Sequence, residues 1–259
     1  FYKEIIEELG LLKMDFLGLR TLTVIRDTLE FIREQGKHVP DEELESYEDK
    51  AVYELISAAD TDGVFQLESG GMRRLLSQMQ PRNLEDILIA ISLYRPGPME
   101  SIPAFLENRA HPESVKYACP QLKNILKNTS GCIVYQEQVM SIMRILAGYT
   151  YGHADIVRRA MSKKKSDVLE AERGSFVSGA AGNGMTEEDA NVLFDSIAAF
   201  ANYAFNKSHA AAYALISYRT AYLKAHYAKE YFAAMLTSVL GNQPKTAEYI
   251  AECHRHGIE

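Results

Sequence analysis

Cysteine is scarce in this chain. Cys119, Cys132 and Cys253 are the only three, odd in number and far apart. That count excludes a disulfide framework and points to a reducing compartment. Long apolar runs are missing too. The longest stretch of low charge, residues 210–223, is broken by Arg219 and is too short to span a bilayer. No secretory pattern opens the chain: Phe1-Tyr2-Lys3-Glu4 leads into an acidic, helix-like segment. No internal repeat and no low-complexity tract occurs. No G-x-x-x-x-G-K-[ST] loop is present, and Gly179-Ala180-Ala181-Gly182-Asn183-Gly184 does not match G-x-G-x-x-G. Cys253-His254-Arg255-His256 has no second ligand pair at zinc-finger spacing. Together these absences remove secreted mini-domains, membrane spans and the two common glycine-rich nucleotide-binding fingerprints.

What is present describes a globular chain of 259 residues, 47% hydrophobic and 24% charged. A chain of that length buries roughly 70–75% of its unfolded surface and needs no staples. It starts without methionine and ends in mid-pattern, and we read it as part of something longer. The net charge of −7 conceals a gradient. Residues 1–60 carry 7 basic against 15 acidic side chains, residues 61–150 carry 9 against 8, and residues 151–259 carry 12 against 12. An acidic total therefore leaves room for a polyanionic ligand wherever cations cluster locally.

Helical periodicity dominates. Leu22, Ile25, Leu29 and Ile32 share a face, with Gly36 as a stop. Ser46 and Asp49 have the spacing of a capping box, Asn83 and Asp86 cap the apolar run 87–94, and Thr186 with Asp189 opens another helix. The longest helix is predicted from Ser208 to about Tyr227. Gly174–Gly184, with four glycines, reads as a loop. Strand signals are confined to a loose alternation over Leu11–Leu17 and the short apolar run 131–135. The expected fold is mainly α with a short β segment at the N-terminal edge.

Three segments carry chemistry. Asp15 sits among apolar neighbours in Leu11-Leu12-Lys13-Met14-Asp15-Phe16-Leu17. It reads either as an exposed strand residue paired with Lys13 or as a metal-ligating carboxylate at a strand end. Arg158-Arg159-Ala160-Met161-Ser162-Lys163-Lys164-Lys165 places five cations in eight residues, with Arg159 and Lys163 one turn apart. It reads as a solvated helix end or as a clamp for a phosphate chain. In Phe205-Asn206-Lys207-Ser208-His209, Ser208 is a good N-cap, so free backbone N–H groups, Lys207 and His209 face one point. Simple capping and phosphate binding both fit, and Tyr213 lies a turn further on. Arg73, Arg74, Arg95, Arg219, Lys224, His226 and Lys229 scatter further cations that could follow a nucleic-acid backbone or merely solvate helices. Asp60-Thr61-Asp62 has the form of a metal pair, but two aspartates before Gly63 most often solvate a turn.

Six motifs occur in order: Met14-Asp15-Phe16-Leu17-Gly18-Leu19-Arg20-Thr21, Phe65-Gln66-Leu67-Glu68-Ser69, Leu93-Tyr94-Arg95-Pro96-Gly97-Pro98, Tyr135-Gln136-Glu137-Gln138-Val139-Met140, the Arg158 to Lys165 run, and Phe205-Asn206-Lys207-Ser208-His209 followed by Ala211-Ala212-Tyr213-Ala214. In this the chain resembles the bacterial replicative DNA polymerase III alpha subunits over almost its whole length. The resemblance implies that residues 1–20 are the edge of the palm and residues 21–259 the helical fingers domain. It implies that Asp15 is a catalytic and metal-binding aspartate, whose D-x-D partners lie upstream. It further implies that Arg158, Arg159 and Lys163 contact the triphosphate and that Asn206, Lys207, Ser208 and His209 line the same nucleotide pocket. Mg²⁺ is the implied metal. Primer-template DNA and a deoxynucleoside triphosphate are the implied ligands. A sliding clamp and other replisome subunits are implied partners of the longer protein, in the cytoplasm and without a membrane. Asp60 and Asp62 receive no metal role. Ala228 stands where the family commonly has proline. Two alternatives stay open: a non-catalytic helical nucleotide- or nucleic-acid-binding module, and an error-prone polymerase of the same family.

Overall fold

The computed structural model describes residues 5–6, 9–12, 14, 18–162, 166–201 and 205–259. The expected positions Asp15 and Lys163 lie outside the described residues. Among those described, fourteen α-helices and three short 3₁₀ turns account for the regular structure. No strand is seen among them. The predicted β segment is represented only by Leu11, Leu12 and Met14, which adopt no regular structure. The apolar run 131–135 contributes a single parallel bridge, Tyr135 to Phe205. Two residues paired across one bridge do not make a strand.

The chain divides into two units, one formed by its two ends and one by residues 39–228. The terminal unit contains α1 (Arg20–Glu34) and, near the other end, α13 (Ala228–Ser238) and α14 (Gln243–Arg255). α1 buries Val24, Ile25, Thr28 and Ile32; of the stripe read from the sequence Ile25 and Ile32 are buried, and Val24 and Thr28 take the places of Leu22 and Leu29. The Thr28 hydroxyl donates to the Val24 carbonyl at 2.7 Å, which lets a polar side chain be buried. Gly36 follows the helix at φ +73°, as a stop residue should.

The larger unit starts with α2 (Asp41–Leu44), α3 (Lys50–Ser57), α4 (Gly70–Met79) and α5 (Leu84–Leu93). The N-cap of α3 is Asp49, whose carboxylate accepts from the Val52 N–H at 3.1 Å. Ser46 instead donates to the Glu43 carbonyl, so the expected Ser46 box is not formed. Asn83 caps α5 as predicted, accepting from Asp86 N–H at 3.0 Å. α5 is buried continuously from Asp86 to Leu93. A helix apolar on every side belongs in a core, and α5 packs against the longest helix, α12 (Lys207–His226). The side chains α12 buries are mostly small, among them Ala210, Ala214, Ser217 and Ala221, which permits close approach.

The remaining helices are α6 (Ile102–Ala110), α7 (Pro120–Leu126), α8 (Gln136–Ala147), α9 (Tyr151–Ser162), α10 (Ser166–Gly182) and α11 (Glu187–Ala201). α7 to α11 enclose a second core built on Ile142, Met143, Val157, Met161, Phe176, Phe194 and Ile197. The Thr186 and Asp189 pair at the start of α11 forms as read: Asp189 N–H donates to Thr186 Oγ1 at 3.1 Å.

Residues 174–182 are helical, not a loop. The physical reason is a long-range contact. A Cβ on Gly179 would lie 2.6 Å from the Ala147 carbonyl oxygen and 2.8 Å from its Cα. Glycine therefore lets α10 press against the end of α8, and Asn183 Nδ2 donates to Leu146 O at 2.7 Å beside it. The propensity cost of each mid-helix glycine, about 0.5–1 kcal/mol, is offset by that packing. Gly179→Ala is expected to destabilise the chain by about 1–3 kcal/mol. Gly174→Ala, whose added carbon meets nothing within 4 Å, should be neutral or stabilise by about 0.5–1 kcal/mol. Urea unfolding midpoints of the two variants check the contrast.

Candidate functional site

Four of the six motifs meet around the N-terminal half of α12. Asn206 is its N-cap, with the side chain accepting from His209 N–H at 2.9 Å. Sequence reading assigned that role to Ser208, which lies inside the first turn. The cap moved two residues because Asn206 has extended geometry, φ −74° and ψ 121°, and a carboxamide oxygen that reaches the third residue along. Lys207 N–H is not open to solvent: it points at both carboxylate oxygens of Glu137, 3.1 Å from each. Lys207 Nζ donates to Glu85 Oε1 at 2.9 Å and lies 5.2 Å from the centre of the Tyr135 ring. The Glu137 carboxylate thus stands on the positive end of this helix, where anions are favoured, and Glu85 pairs with the Lys207 ammonium beside it.

An aromatic row runs beside it. Phe205 and His209 meet edge to face at 5.3 Å, His209 and Tyr213 lie 4.2 Å apart, and Tyr213 and Phe65 5.1 Å apart. Arg95 covers the Phe205 ring at 3.7 Å, and burial lowers its guanidinium below its usual basicity. His209 is exposed, and Phe65, Phe205 and Tyr213 are half-buried. This row is a stacking surface of the kind a nucleobase or sugar could use.

Local structure explains how each member is held. Phe65 N–H donates to Thr220 Oγ1 at 3.1 Å, and Ser217 Oγ donates to the Phe65 carbonyl at 2.8 Å, so α12 itself fixes the loop that carries Phe65. Arg95 follows the C-cap of α5, in a turn closed by Gly97 at φ +97°. Tyr94 beside it fills the space where a Gly71 Cβ would stand, 1.7 Å from its hydroxyl oxygen. In the Tyr135 to Gln138 motif, Gln138 is structural. Its buried amide oxygen accepts from Val134 and Tyr135 N–H at 2.8 and 3.0 Å, and its NH₂ donates to Thr129 Oγ1.

Arg158 and Arg159 form a second cluster, on α9. Both are held by one carboxylate: Arg158 Nη2 and Nε lie 2.8 and 3.1 Å from Asp155 Oδ1, and Arg159 Nη2 lies 2.7 Å from Oδ2. The hydrogen bond from Arg158 holds the Asp155 carboxyl below the usual carboxylate range. Arg159 is 68% exposed and Arg158 only 16%, so the two differ in availability. The i,i+3 and i,i+4 spacing of Asp155 was readable in the sequence. Glu85 and Glu137 were not, because their partner lies 122 and 70 residues away.

Four of the seven scattered cations have carboxylate partners, and Arg95 lies over the Phe205 ring. Arg73 pairs with Asp62, Arg219 with Glu45, Lys224 with Asp60 and His226 with Asp49. The Asp60-Thr61-Asp62 segment is thereby explained as two ion-pair anchors.

Residues 21–184 match the family model described as the bacterial DNA polymerase III alpha subunit finger domain. The chain is 46% identical over 253 residues to DNA polymerase III subunit alpha of Staphylococcus aureus (strain COL) and 47% identical over 252 residues to that of Staphylococcus epidermidis. Each alignment covers 97% of this chain and 24% of the relative, so the chain spans about a quarter of the length of these curated relatives. Motifs, helical architecture and these matches agree: the chain belongs to the family of bacterial DNA polymerase III alpha subunits and carries its finger domain.

Proposed function

We propose that this chain acts within a DNA-directed DNA polymerase as the palm edge, residues 1–20, and the fingers, residues 21–259. The complete enzyme would add deoxynucleotides to a primer 3′ end and release pyrophosphate. The observation that carries the reading is the convergence of Phe65, Arg95, Glu137, Asn206, Lys207, His209 and Tyr213 on one end of α12 in a chain of this family.

In this reading the bound nucleotide supplies the anion that Asp155, Glu85 and Glu137 now mimic. Arg158 and Arg159 fork onto phosphate oxygens and exchange part of their hold on Asp155 for them. Lys163, Lys207 and the N–H groups near Asn206, Ser208 and His209 add charge and donors along the same polyphosphate. These groups act most strongly on the transition state, where negative charge gathers on the leaving pyrophosphate. The row Phe65, Tyr213 and His209 offers a face for the sugar and base. A divalent metal, Mg²⁺ in our reading, would supply Lewis-acid activation of the primer hydroxyl and charge neutralisation. Asp15 would hold it, with a D-x-D pair upstream of residue 1. Primer-template DNA is the second ligand, and a sliding clamp and other replisome subunits are partners of the complete protein. We place that protein in the cytoplasm. Among the described residues no helix is long and apolar enough to cross a membrane.

One carboxylate does not make a two-metal centre. The purified 259-residue chain is therefore expected to give no primer extension with Mg²⁺ and all four deoxynucleoside triphosphates, while the complete subunit extends the primer. Extension by the isolated chain, free of contaminating polymerase, would overturn the division of labour proposed here.

A further inference from the structure

Apart from the α12 cluster, α9 is held by a group of three side chains that nothing above has used. Tyr149, in the turn between α8 and α9, stacks face to face on His153 of α9, with ring centres 4.3 Å apart and planes within 8°. Both reach one carboxylate on α10. Tyr149 OH donates to Glu172 Oε2 at 2.9 Å, and His153 Nε2 lies 3.0 Å from Glu172 Oε1. Burial and the Glu172 bond raise the Tyr149 phenol far above its usual value. The Glu172 side chain is only 19% exposed.

We infer that Tyr149, His153 and Glu172 form a clasp that sets the rotation of α9 and so positions Arg158 and Arg159. The inference rests on the reading that these arginines contact the triphosphate. Three observations carry it. First, the clasp uses both oxygens of one half-buried carboxylate for two different donors, which fixes direction as well as distance. An apolar contact would hold the helices together without that directional control. Second, helix geometry puts His153 about 140° from Arg158 around α9, so a hold on the His153 side governs what the arginine side presents. Ala154, Val157 and Met161 fill the core between, which makes α9 turn as one body. Third, Gly148 at φ +74° ends α8, and Tyr149 N–H donates to Met143 O at 3.3 Å, so the residue that stacks on His153 is itself anchored to the preceding helix. Tyr149, His153 and Glu172 are positioning residues: none of them is asked to touch the nucleotide.

The test is a double-mutant cycle on steady-state incorporation by the complete polymerase. Glu172→Ala and His153→Ala are expected to raise the KM for the incoming nucleotide and lower kcat, together about tenfold in kcat/KM, with the primer-template Kd within twofold of wild type. In an Arg158→Ala background the same changes should add less than twofold, because the clasp acts through that arginine. His153→Gln, which keeps an N–H donor toward Glu172, should recover most of the lost kcat/KM. Tyr149→Phe removes only the hydroxyl and supplies the cycle if an alanine variant fails to fold. Wild-type kcat/KM in a folded Glu172→Ala or Tyr149→Phe variant would overturn the inference. So would a full additive effect in the Arg158→Ala background, which marks a purely structural role. An Arg158→Ala enzyme with unchanged kcat/KM would instead remove the triphosphate reading, and the clasp's purpose with it.

Discussion

Arg158→Ala in the complete polymerase is expected to lower kcat/KM for nucleotide addition about 10²–10³-fold. A triphosphate brings several negative charges to one place, and the leaving pyrophosphate gains more as the bond breaks. A guanidinium that forks onto those oxygens contributes most at that moment. Arg158 is better prepared for this than a solvated lysine. Its side chain is only 16% exposed and is oriented by two hydrogen bonds from Nε and Nη2 to Asp155. The guanidinium is thus confined to few orientations before it exchanges part of its hold on Asp155 for the ligand. Arg159 shares the same carboxylate but is 68% exposed, so Arg159→Ala should lose less, on the order of tenfold. Single-nucleotide incorporation at varied substrate concentration reads both losses. Equal losses at the two positions would contradict the ranking by burial.

The second large effect concerns stability. Lys224 lies near the end of α12 with its side chain fully buried. Its ammonium donates to Asp60 Oδ1 at 2.8 Å, to the Asp60 carbonyl at 2.9 Å and to the Asp62 carbonyl at 3.0 Å. Nearby, Arg73 donates to Asp62 Oδ1 at 2.7 Å and to the Ala59 carbonyl at 2.9 Å, where the backbone turns left-handed at φ +58°. The loop that begins here runs on to Phe65, so the anchor at one end of α12 holds the backbone that delivers an aromatic to the other. Lys224→Ala takes the ammonium from a carboxylate and two carbonyls at once. It is expected to cost about 3–5 kcal/mol, which lowers the midpoint of thermal unfolding by about 10 °C for a chain of this size. Lys224→Met combined with Asp60→Asn removes both charges and should recover part of the loss. A Lys224→Ala midpoint within 2 °C of wild type would contradict this account of the loop.

Much of the helical frame was legible because its signals are local. α12 was read as Ser208 to about Tyr227 and runs from Lys207 to His226. The caps at Asn83 and Thr186 follow from side-chain chemistry three residues from their targets. Misreadings arose where distant residues decide. Gly174 to Gly184 looks like a loop to any local rule, and only Ala147 on α8 gives Gly179 a reason to be helical. The basic positions Arg219 and Lys224 fit either a nucleic-acid-facing stripe or plain helix solvation by any local rule. They are anchors whose carboxylates lie 174 and 164 residues away, beyond any spacing rule. The aromatic row had the opposite fate. His209 and Tyr213 are one helical turn apart and readable, whereas Phe65 joins them only through tertiary structure.

The central claim is that the cations of this chain hold the triphosphate of an incoming nucleotide. The most direct measurement is the equilibrium Kd of a correctly paired deoxynucleoside triphosphate for the complete polymerase on a dideoxy-terminated primer-template, where no chemistry follows binding. Wild type would be compared with Arg158→Ala and Lys207→Ala, and the primer-template Kd measured in parallel. The account predicts at least tenfold weaker nucleotide binding in each variant, with primer-template affinity unchanged. Nucleotide affinity equal to wild type in both variants would contradict it.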